Sequence, residues 1–261
     1  MLSIATLNLL NDLTFWPERA PLIIAELRRL QPDLVALQEI NIPSDNAAWI
    51  TAQLDGYSLH ICPKKGRLGQ REGLAILSRL PVETHQTLSM SAQGRVAHWI
   101  SVDHEGQRWL LANTHLFWSP VDDDLRLHQV RRLLSHLPHH DPTIICGDFN
   151  SMPYYRSIKL IKKQFSSAYA AVHGDEPAYT SPTPLKRGPG LRHSARRTAL
   201  RLIGSILIGR NASWRGTIDY IFVNSRVQVL DCSIAFDQPS PHDSQIYPSD
   251  HLGLIANLAI K

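Results

Sequence analysis

The sequence predicts an α/β fold of two packed sheets covered by helices on their outer faces. Three features carry this: about ten short apolar runs bounded by turn residues, two longer stretches with helical periodicity, and connections that are tight turns in some places and helices in others. With 261 residues and 29.4 kDa, the chain is expected to close into one domain, 1–261, around a sizeable core.

LSIATLNLL reads as the first strand because apolar residues alternate along it. Leu22, Ile23, Leu27 and Leu30 then recur at helical spacing, and Pro32 and Asp33 mark the exit into a second strand, PDLVALQEI. GYSLHIC, GLAILSR, AHWISVD and RWLLANTHL follow as strands, β-branched and separated by turn residues. DDDLRLHQVRRLLSHL puts Leu127, Val130, Leu134 and Leu137 on one stripe, with Asp122 to Asp124 at the end where the helix dipole favours carboxylates. The remaining strands are TIICGDFN, TIDYIFV, VQVLDCSIAF and LGLIANLAI. There is no internal repeat and no low-complexity linker.

Hydrophobic residues at 43% and charged residues at 19% fit an ordinary globular protein and exclude a disordered chain. LIGSILIG, the longest kind of apolar stretch present, falls far short of the ~20 residues that span a bilayer. The N-terminal MLSIATLNLLND lacks a basic region and a small-residue cleavage site, so it reads as a strand and not as a signal peptide. Cys62, Cys146 and Cys232 have no metal-ligand spacing, and their odd number suits a reducing compartment. A cytoplasmic monomer is the expectation. The net charge of +4 is local in origin: eight of the 27 bases lie between Ser181 and Arg215 with no acid among them, leaving 19 bases against 23 acids elsewhere.

Polar residues recur where apolar strands end or begin: Asn8, Gln38 and Glu39, Asn113 and His115, Asp148 and Asn150, Asp250 and His251. Each has a structural explanation when taken singly. Glu39 suits a solvated strand end, Asp148 a turn and Asp250 a cap. Together they hold the parts that phosphate-ester hydrolysis needs. Carboxylate oxygens suit a hard cation such as Mg²⁺. Histidines and amides donate to charge developing on phosphoryl oxygens, and a carboxylate can deprotonate an attacking water.

The motifs LQEI (37–40), NTHL (113–116), GDFN (147–150), GTIDYIF (216–222) and SDH (249–251) occur in an order that resembles the endonuclease/exonuclease/phosphatase superfamily, over residues 6–258. That resemblance implies a four-layer α/β/β/α sandwich of two mixed sheets, with the site at one edge. It further implies metal-dependent hydrolysis of a phosphodiester by in-line attack of water, using Mg²⁺ or Mn²⁺ as one or two ions. Glu39 would be the principal metal carboxylate, with Asp250 and Asn8 on the metal side and Gln38 behind Glu39. His115 and Asn150 would hold the phosphate, Asp148 would activate the water, and Asp219 would orient His251. ANTHLFWSP, LRLHQVRRLL and CGDFNSMP are similar to the nocturnin, deadenylase and 2′-phosphodiesterase branch, whereas TLNLLN and the region between His60 and Leu80 depart from it.

The expected substrate is a nucleic acid or nucleotide, with Asn8, Asn113, Arg71, Trp118, Tyr154, Arg196 and Arg197 as contacts. Glu72 is expected beside Arg71 on the rim. Phe117, Trp118, Phe149, Tyr154 and Tyr155 are placed either to stack on bases or to pack the surrounding loops. An inositol or sugar phosphatase, a sphingomyelinase-like enzyme and a non-catalytic module are the alternatives, the last disfavoured by the completeness of the polar set. The basic stretch at about 181–215 reads as an insertion beside the site. It has three readings: a clamp on a polyanion, a face for an anionic membrane through Arg196, Arg197 and Arg201, or a solvated lid.

Overall fold

The structure is a computed structural model that describes residues 1–119, 122–138, 141–186 and 215–261. The expected contacts Arg196 and Arg197, and the helical face expected around Arg201, lie outside the described residues.

Among the described residues there are twelve strands and five α-helices. The first sheet contains β1 (Leu2–Asn8), β2 (Leu34–Asn41), β3 (Ser58–Pro63), β4 (Glu72–Ser78), β11 (Val227–Ala235) and β12 (Gly253–Ile260), in the order β11-β12-β1-β2-β4-β3. The second contains β5 (Val82–Ser89), β6 (Val96–His104), β7 (Gln107–His115), β8 (Thr143–Asp148), β9 (Phe165–Ser167) and β10 (Asp219–Asn224), in the order β5-β6-β7-β8-β10-β9. Each sheet has one parallel pair, β1 with β2 and β7 with β8. Helices α1 (Trp16–Leu30) and α3 (Asp124–His136) make the two crossovers. The short helices α2 (Asn46–Ala52), α4 (Arg156–Ile161) and α5 (Ala168–His173) complete the set.

The period-2 alternation of each strand decides what fills the layers. Leu2, Ile4, Leu34, Ala36, Trp109, Leu111, Ile144, Cys146, Ile221 and Val223 all join the cluster between the sheets. The alternate residues Ala5, Leu7, Val35 and Leu37 pack with Ile23, Ile24 and Leu27 of α1, while Leu110, Ala112 and Ile145 pack with Val130, Leu133 and Leu134 of α3. Four layers, α/β/β/α, result. Both sheet faces are covered, which is why these strands read as nearly continuous apolar runs.

Some elements were not legible. β5 is an edge strand whose side chains are mostly exposed, so VETHQTLS has no apolar phase to reveal it. The buried stripe of α3 is also rotated from the expected one: Arg126 and Gln129 face inward, while Leu127 is half-buried. Gln129 compensates by accepting from Phe117 N–H at 2.8 Å and donating to Ser91 O at 2.9 Å.

A polar ladder crosses the sandwich beneath the site. Asn113 Nδ2 donates to Leu37 O and Ala75 O, each at 3.0 Å, and lies 3.3 Å from His98 Nε2. The two amide hydrogens serve the carbonyls, with His98 Nε2 a more distant third neighbour, and His98 Nδ1 faces His85 Nε2 at 3.1 Å. Burial pushes His98 well below its ordinary pKa, with His85 and His60 adding to the effect, and burial lowers His85 and His60 as well. As pH falls below about 6.5, the unfolded chain takes up protons that the folded histidines refuse. The contribution of these three histidines to stability is therefore expected to fall from that pH down to the lower folded values. In denaturant unfolding between pH 7.5 and 5, the wild-type protein should lose stability relative to His98→Gln; a difference that does not change with pH would contradict it.

Candidate active site

At one edge of the sandwich the inward phase of the strands changes from apolar to polar. Leu2 and Ile4 give way to Thr6 and Asn8, Leu34 and Ala36 to Gln38, Trp109 and Leu111 to Asn113 and His115, and Ile144 and Cys146 to Asp148. Both parallel pairs end at this edge, and their registers set Asn8 beside Gln38 and His115 beside Asp148. The antiparallel neighbour β10 begins there, with Asp219 opposite Asp148. Gly147 is required at the junction, because a Cβ there would lie 2.0 Å from Thr114 O.

Asp148 is 2% exposed. Its Oδ2 accepts from Asn8 Nδ2 at 3.0 Å and lies 3.3 Å from His115 Nε2, while Oδ1 accepts from Asn150 N–H at 2.8 Å. Burial, reinforced by the negative charge of Asp219, pushes its carboxyl up to about 7 against the opposing pull of His251 and the Asn150 bond. Asn150 adopts the left-handed conformation (φ 48°) that asparagine tolerates, and its Nδ2 donates to Leu116 O at 3.1 Å.

His251 Nδ1 sits 3.0 and 3.1 Å from the two oxygens of Asp219. Thr180 Oγ1 donates to Asp219 Oδ2 at 2.6 Å and accepts from the N–H groups of Ile218 and Asp219. Burial alone would lower His251, but Asp219, followed by Asp250 and Asp148, holds it well above the ordinary value. Asp219 on Nδ1 thus favours the protonated ring and leaves Nε2 facing the cleft side of Asp250 at 4.0 Å.

The third group is Glu39, His115 and Glu72. Glu39 has φ 55° at a register shift between Leu37 and Ile40, so it leaves the strand's alternation and turns toward His115, whose Nε2 is 4.0 Å from Oε1. Burial acts to raise Glu39. The Asn11 N–H at 2.9 Å and the charges of His251, Arg95 and Lys64 outweigh it, so Glu39 is held below its ordinary value. Glu72 lies 3.8 Å from His115 Nδ1, is bonded by Lys64 and sits 3.6 Å from Arg95. Burial and the neighbouring Glu39 charge leave Glu72 raised.

Two donor sets have the spacing of a cation site among the described residues: Glu39, Glu72 and His115, and Asp148, Asp219 and His251. Glu72 is engaged by Lys64, and Asp219 by Thr180 and His251. Glu39, ionised and oxygen-bearing, is thus the carboxylate that best fits a hard divalent ion.

Several expected residues stand elsewhere. Asn8 was expected on the metal side; its Nδ2 donates to Asp148 Oδ2 and its Oδ1 accepts from Leu10 N–H at 3.0 Å, so both its polar atoms are engaged within the protein. Asn113, expected to touch substrate, is fully buried and ties the two sheets together. Asp250 belongs to neither donor set; its side chain is 33% exposed and its Oδ1 lies 4.0 Å from His251 Nε2. Phe149 is a core residue. Arg71 and Tyr154 are exposed and Trp118 is half-buried, so these remain available at the surface. Asn11, Lys64, Arg95 and Thr180 also support the site and carried no distinguishing signal in the sequence, while Ser249, the first residue of the SDH motif, supports it through Asn8 O and His251 N–H.

The sequence profile of the Endonuclease/Exonuclease/phosphatase family matches residues 5–251. The chain belongs to the endonuclease/exonuclease/phosphatase family. Its relatives within that family include 2′,5′-phosphodiesterase 12 of Bos taurus, 26% identical over 93% of this chain and 46% of that protein. Human nocturnin is 25% identical over 94% of this chain and 58% of that protein. The chain therefore spans about half the length of these relatives. Among solved structures, the human nocturnin catalytic domain with bound sulfate anion has a TM-score of 0.76 at 24% identity, covering 100% of this chain and 94% of that one. D. rerio TDP2 complexed with single strand DNA product has a TM-score of 0.78 at 19% identity, covering 99% and 98%. These two show the family's fold in this chain.

Carboxyl ¹³C titration of the folded protein is expected to show one aspartate with a midpoint of about 7. That signal should vanish in Asp148→Asn; a midpoint in the ordinary aspartate range would contradict the described environment.

Proposed function

We propose that this chain is a divalent-metal-dependent phosphodiester hydrolase acting on nucleic acid or a nucleotide. The observation that carries the reading is a cluster at one edge: the buried Asp148 carboxyl, held by Asn8 and the Asn150 N–H and raised to about 7, lies within 4.8 Å of Asp219 and of His251. His251 Nδ1 is bonded to Asp219, and its pKa is raised by it. Such a cluster supplies a base and a hydrogen-bond donor at neutral pH.

Asp148, oriented by Asn8 and by the Asn150 N–H, accepts a proton from the attacking water. The water oxygen bonds to phosphorus as the bond to the leaving oxygen breaks in line. His251 and His115 donate N–H groups to the phosphoryl oxygens, whose negative charge grows in the transition state. Asn150 and Leu116 close the same side of the cleft. Glu39 would hold Mg²⁺ or Mn²⁺, which supplies Lewis-acid stabilisation of phosphoryl charge when bound; Asp250 is a second carboxylate within reach of His251. No enzyme-bound phosphoryl group is needed. All these groups come from one chain, so a monomer suffices, and the three buried free cysteines accord with a cytoplasmic setting.

The names of the relatives support a nucleotide or nucleic-acid substrate, and the ends of the basic stretch support a polyanion. The described chain stops at Lys186 and resumes at Arg215, and both ends are tied to the site. Thr183 N–H donates to Asp250 O at 2.9 Å, Thr183 Oγ1 donates to Ser249 O at 2.6 Å, and Ser181 bridges Gly216. The described residues on either side of the basic stretch, which carries eight bases between 181 and 215, are thus held beside Asp250 and Ser249.

With Mg²⁺ or Mn²⁺, the protein is expected to hydrolyse at least one of single-stranded RNA, single-stranded DNA, 2′-5′ oligoadenylate or NADPH. Asp148→Asn and His251→Ala should each lower turnover on the order of 10²–10⁴-fold with unchanged melting, and Glu39→Ala should abolish the metal response. Silence on all four substrates, or near wild-type turnover in either variant, would remove this reading. Binding of a single-stranded oligonucleotide should also weaken with salt, with a log–log slope that drops by roughly 0.7 for each of Arg196, Arg197 and Arg201 changed to Gln that contacts phosphate. An unchanged slope alongside arginine-dependent sedimentation with anionic vesicles would instead assign the stretch to a lipid surface.

A further inference from the structure

Arg19 lies in the first turn of α1 and is fully buried. Both facts need a cause. A cation at a helix N-terminus opposes the dipole, and arginine is almost never fully buried without partners. Burial accordingly lowers its pKa from the ordinary 12.5, with the charges of Asp250, Asp12 and Glu39 opposing that shift from a distance.

Its hydrogen bonds among the described residues all go to backbone carbonyls, and its guanidinium lies 5.6 Å from the centroid of the Trp16 ring. Nε donates to Pro248 O at 3.1 Å, Nη1 to Asp12 O at 2.8 Å, and Nη2 to Leu9 O with a longer contact of 3.5 Å to Leu10 O. These carbonyls belong to two loops. One follows β1 and carries Asn11, whose N–H holds Glu39, while Leu10 in the same loop has φ 59° and donates its N–H to Asn8. The other precedes β12 and carries Ser249, whose hydroxyl donates to Asn8 O at 2.5 Å and accepts from His251 N–H at 3.2 Å.

We propose that Arg19 is the positioning residue that locks these two loops to each other and so sets Glu39 and His251 in register. The proposal rests on the hydrolase reading for its catalytic consequence but not for its geometry. Arginine is needed because its planar fork presents several donors in fixed directions, whereas lysine offers a single strongly hydrated point charge. Such a lock acts on the site without touching substrate, metal or the reacting atoms.

The test compares wild type, Arg19→Lys and, as a control on the exposed face of the same helix, Arg29→Met. Three measurements need no turnover: thermal unfolding, calorimetric Mn²⁺ binding, and the downfield imidazole N–H resonance of His251, assigned by its absence in His251→Gln. Arg29→Met should match wild type in all three. Arg19→Lys should unfold cooperatively, bind Mn²⁺ roughly ten-fold more weakly and shift or lose the resonance, and on a diester its kcat should fall on the order of 10–100-fold. KM should stay within about two-fold. Should the buried ammonium prevent folding, Arg19→Gln, which leaves no charge inside, is read by the same measurements. A folded variant with wild-type Mn²⁺ affinity or an unchanged resonance overturns the proposal, and so does collapse of both variants, which would make Arg19 a residue of the fold alone. A wild-type protein inactive on every diester would count against the hydrolase reading and leave the binding and resonance results decisive for Arg19.

Discussion

The Asn113 carboxamide fixes the distance between the sheets where it matters most. It stands on β7 in one sheet, donates to carbonyls of β2 and β4 in the other, and accepts from Gln38 Nε2 at 2.8 Å. Apolar packing elsewhere in the interface is non-directional and sets spacing only through side-chain volume. These hydrogen bonds are directional, and they sit two residues before His115 and within two residues of Glu39. The gap between Asp148 and His115 on one side and Asn8 and Glu39 on the other is thereby held rigid. Breaking one partner would strand buried polar groups, at about 1–3 kcal/mol for each, so the edge is stiff as well as spaced.

Much of this was legible in the sequence because strand periodicity is unforgiving. Thr6, Asn8, Gln38, Asn113, His115 and Asp148 all continue the inward phase set by the apolar residues before them, so a polar residue there has to meet either the cleft or the other sheet. Which of the two it meets was not legible. Asn113 and Asn8 look alike as asparagines at strand ends, and the first stitches the sheets while the second holds the Asp148 carboxyl. Glu39 was found through its motif, yet its exit from the alternation depends on a left-handed residue at a register shift that apolar patterning does not reveal. Arg19 and Gln129 were missed for a related reason. Each replaces an apolar residue on a helix's buried face, and only the backbone carbonyls around it explain the choice.

Three acids share the edge and are driven apart by their partners. Glu39 is held below its ordinary value by the Asn11 N–H and by cations around it; Asp148, buried and facing Asp219, is raised to about 7; Glu72 is raised although Lys64 and Arg95 press on it. The chemistry divides along the same lines. A carboxylate that stays charged suits a divalent ion, and one that titrates near neutrality suits proton transfer. The cations matter as much as the acids, since without Lys64, Arg95 and His251 nearby the burial of Glu39 would favour its neutral form.

Substrate choice then has to come from outside this edge. On the hydrolase reading, these polar groups would act on a phosphodiester linkage and make no demand on what it joins, and the sequence puts its unusual charge in the stretch between Ser181 and Arg215. The stretch from 181 to 215 is bound at its ends to Asp250, Ser249 and Gly216, and Ser249 in turn holds Asn8 and His251. A polyanion pulling on that stretch would therefore load hydrogen bonds that end on the backbone of His251 and Asn8. Binding energy from a remote part of the substrate would reach the reacting centre through a few short contacts, which is how such energy raises turnover and not merely affinity.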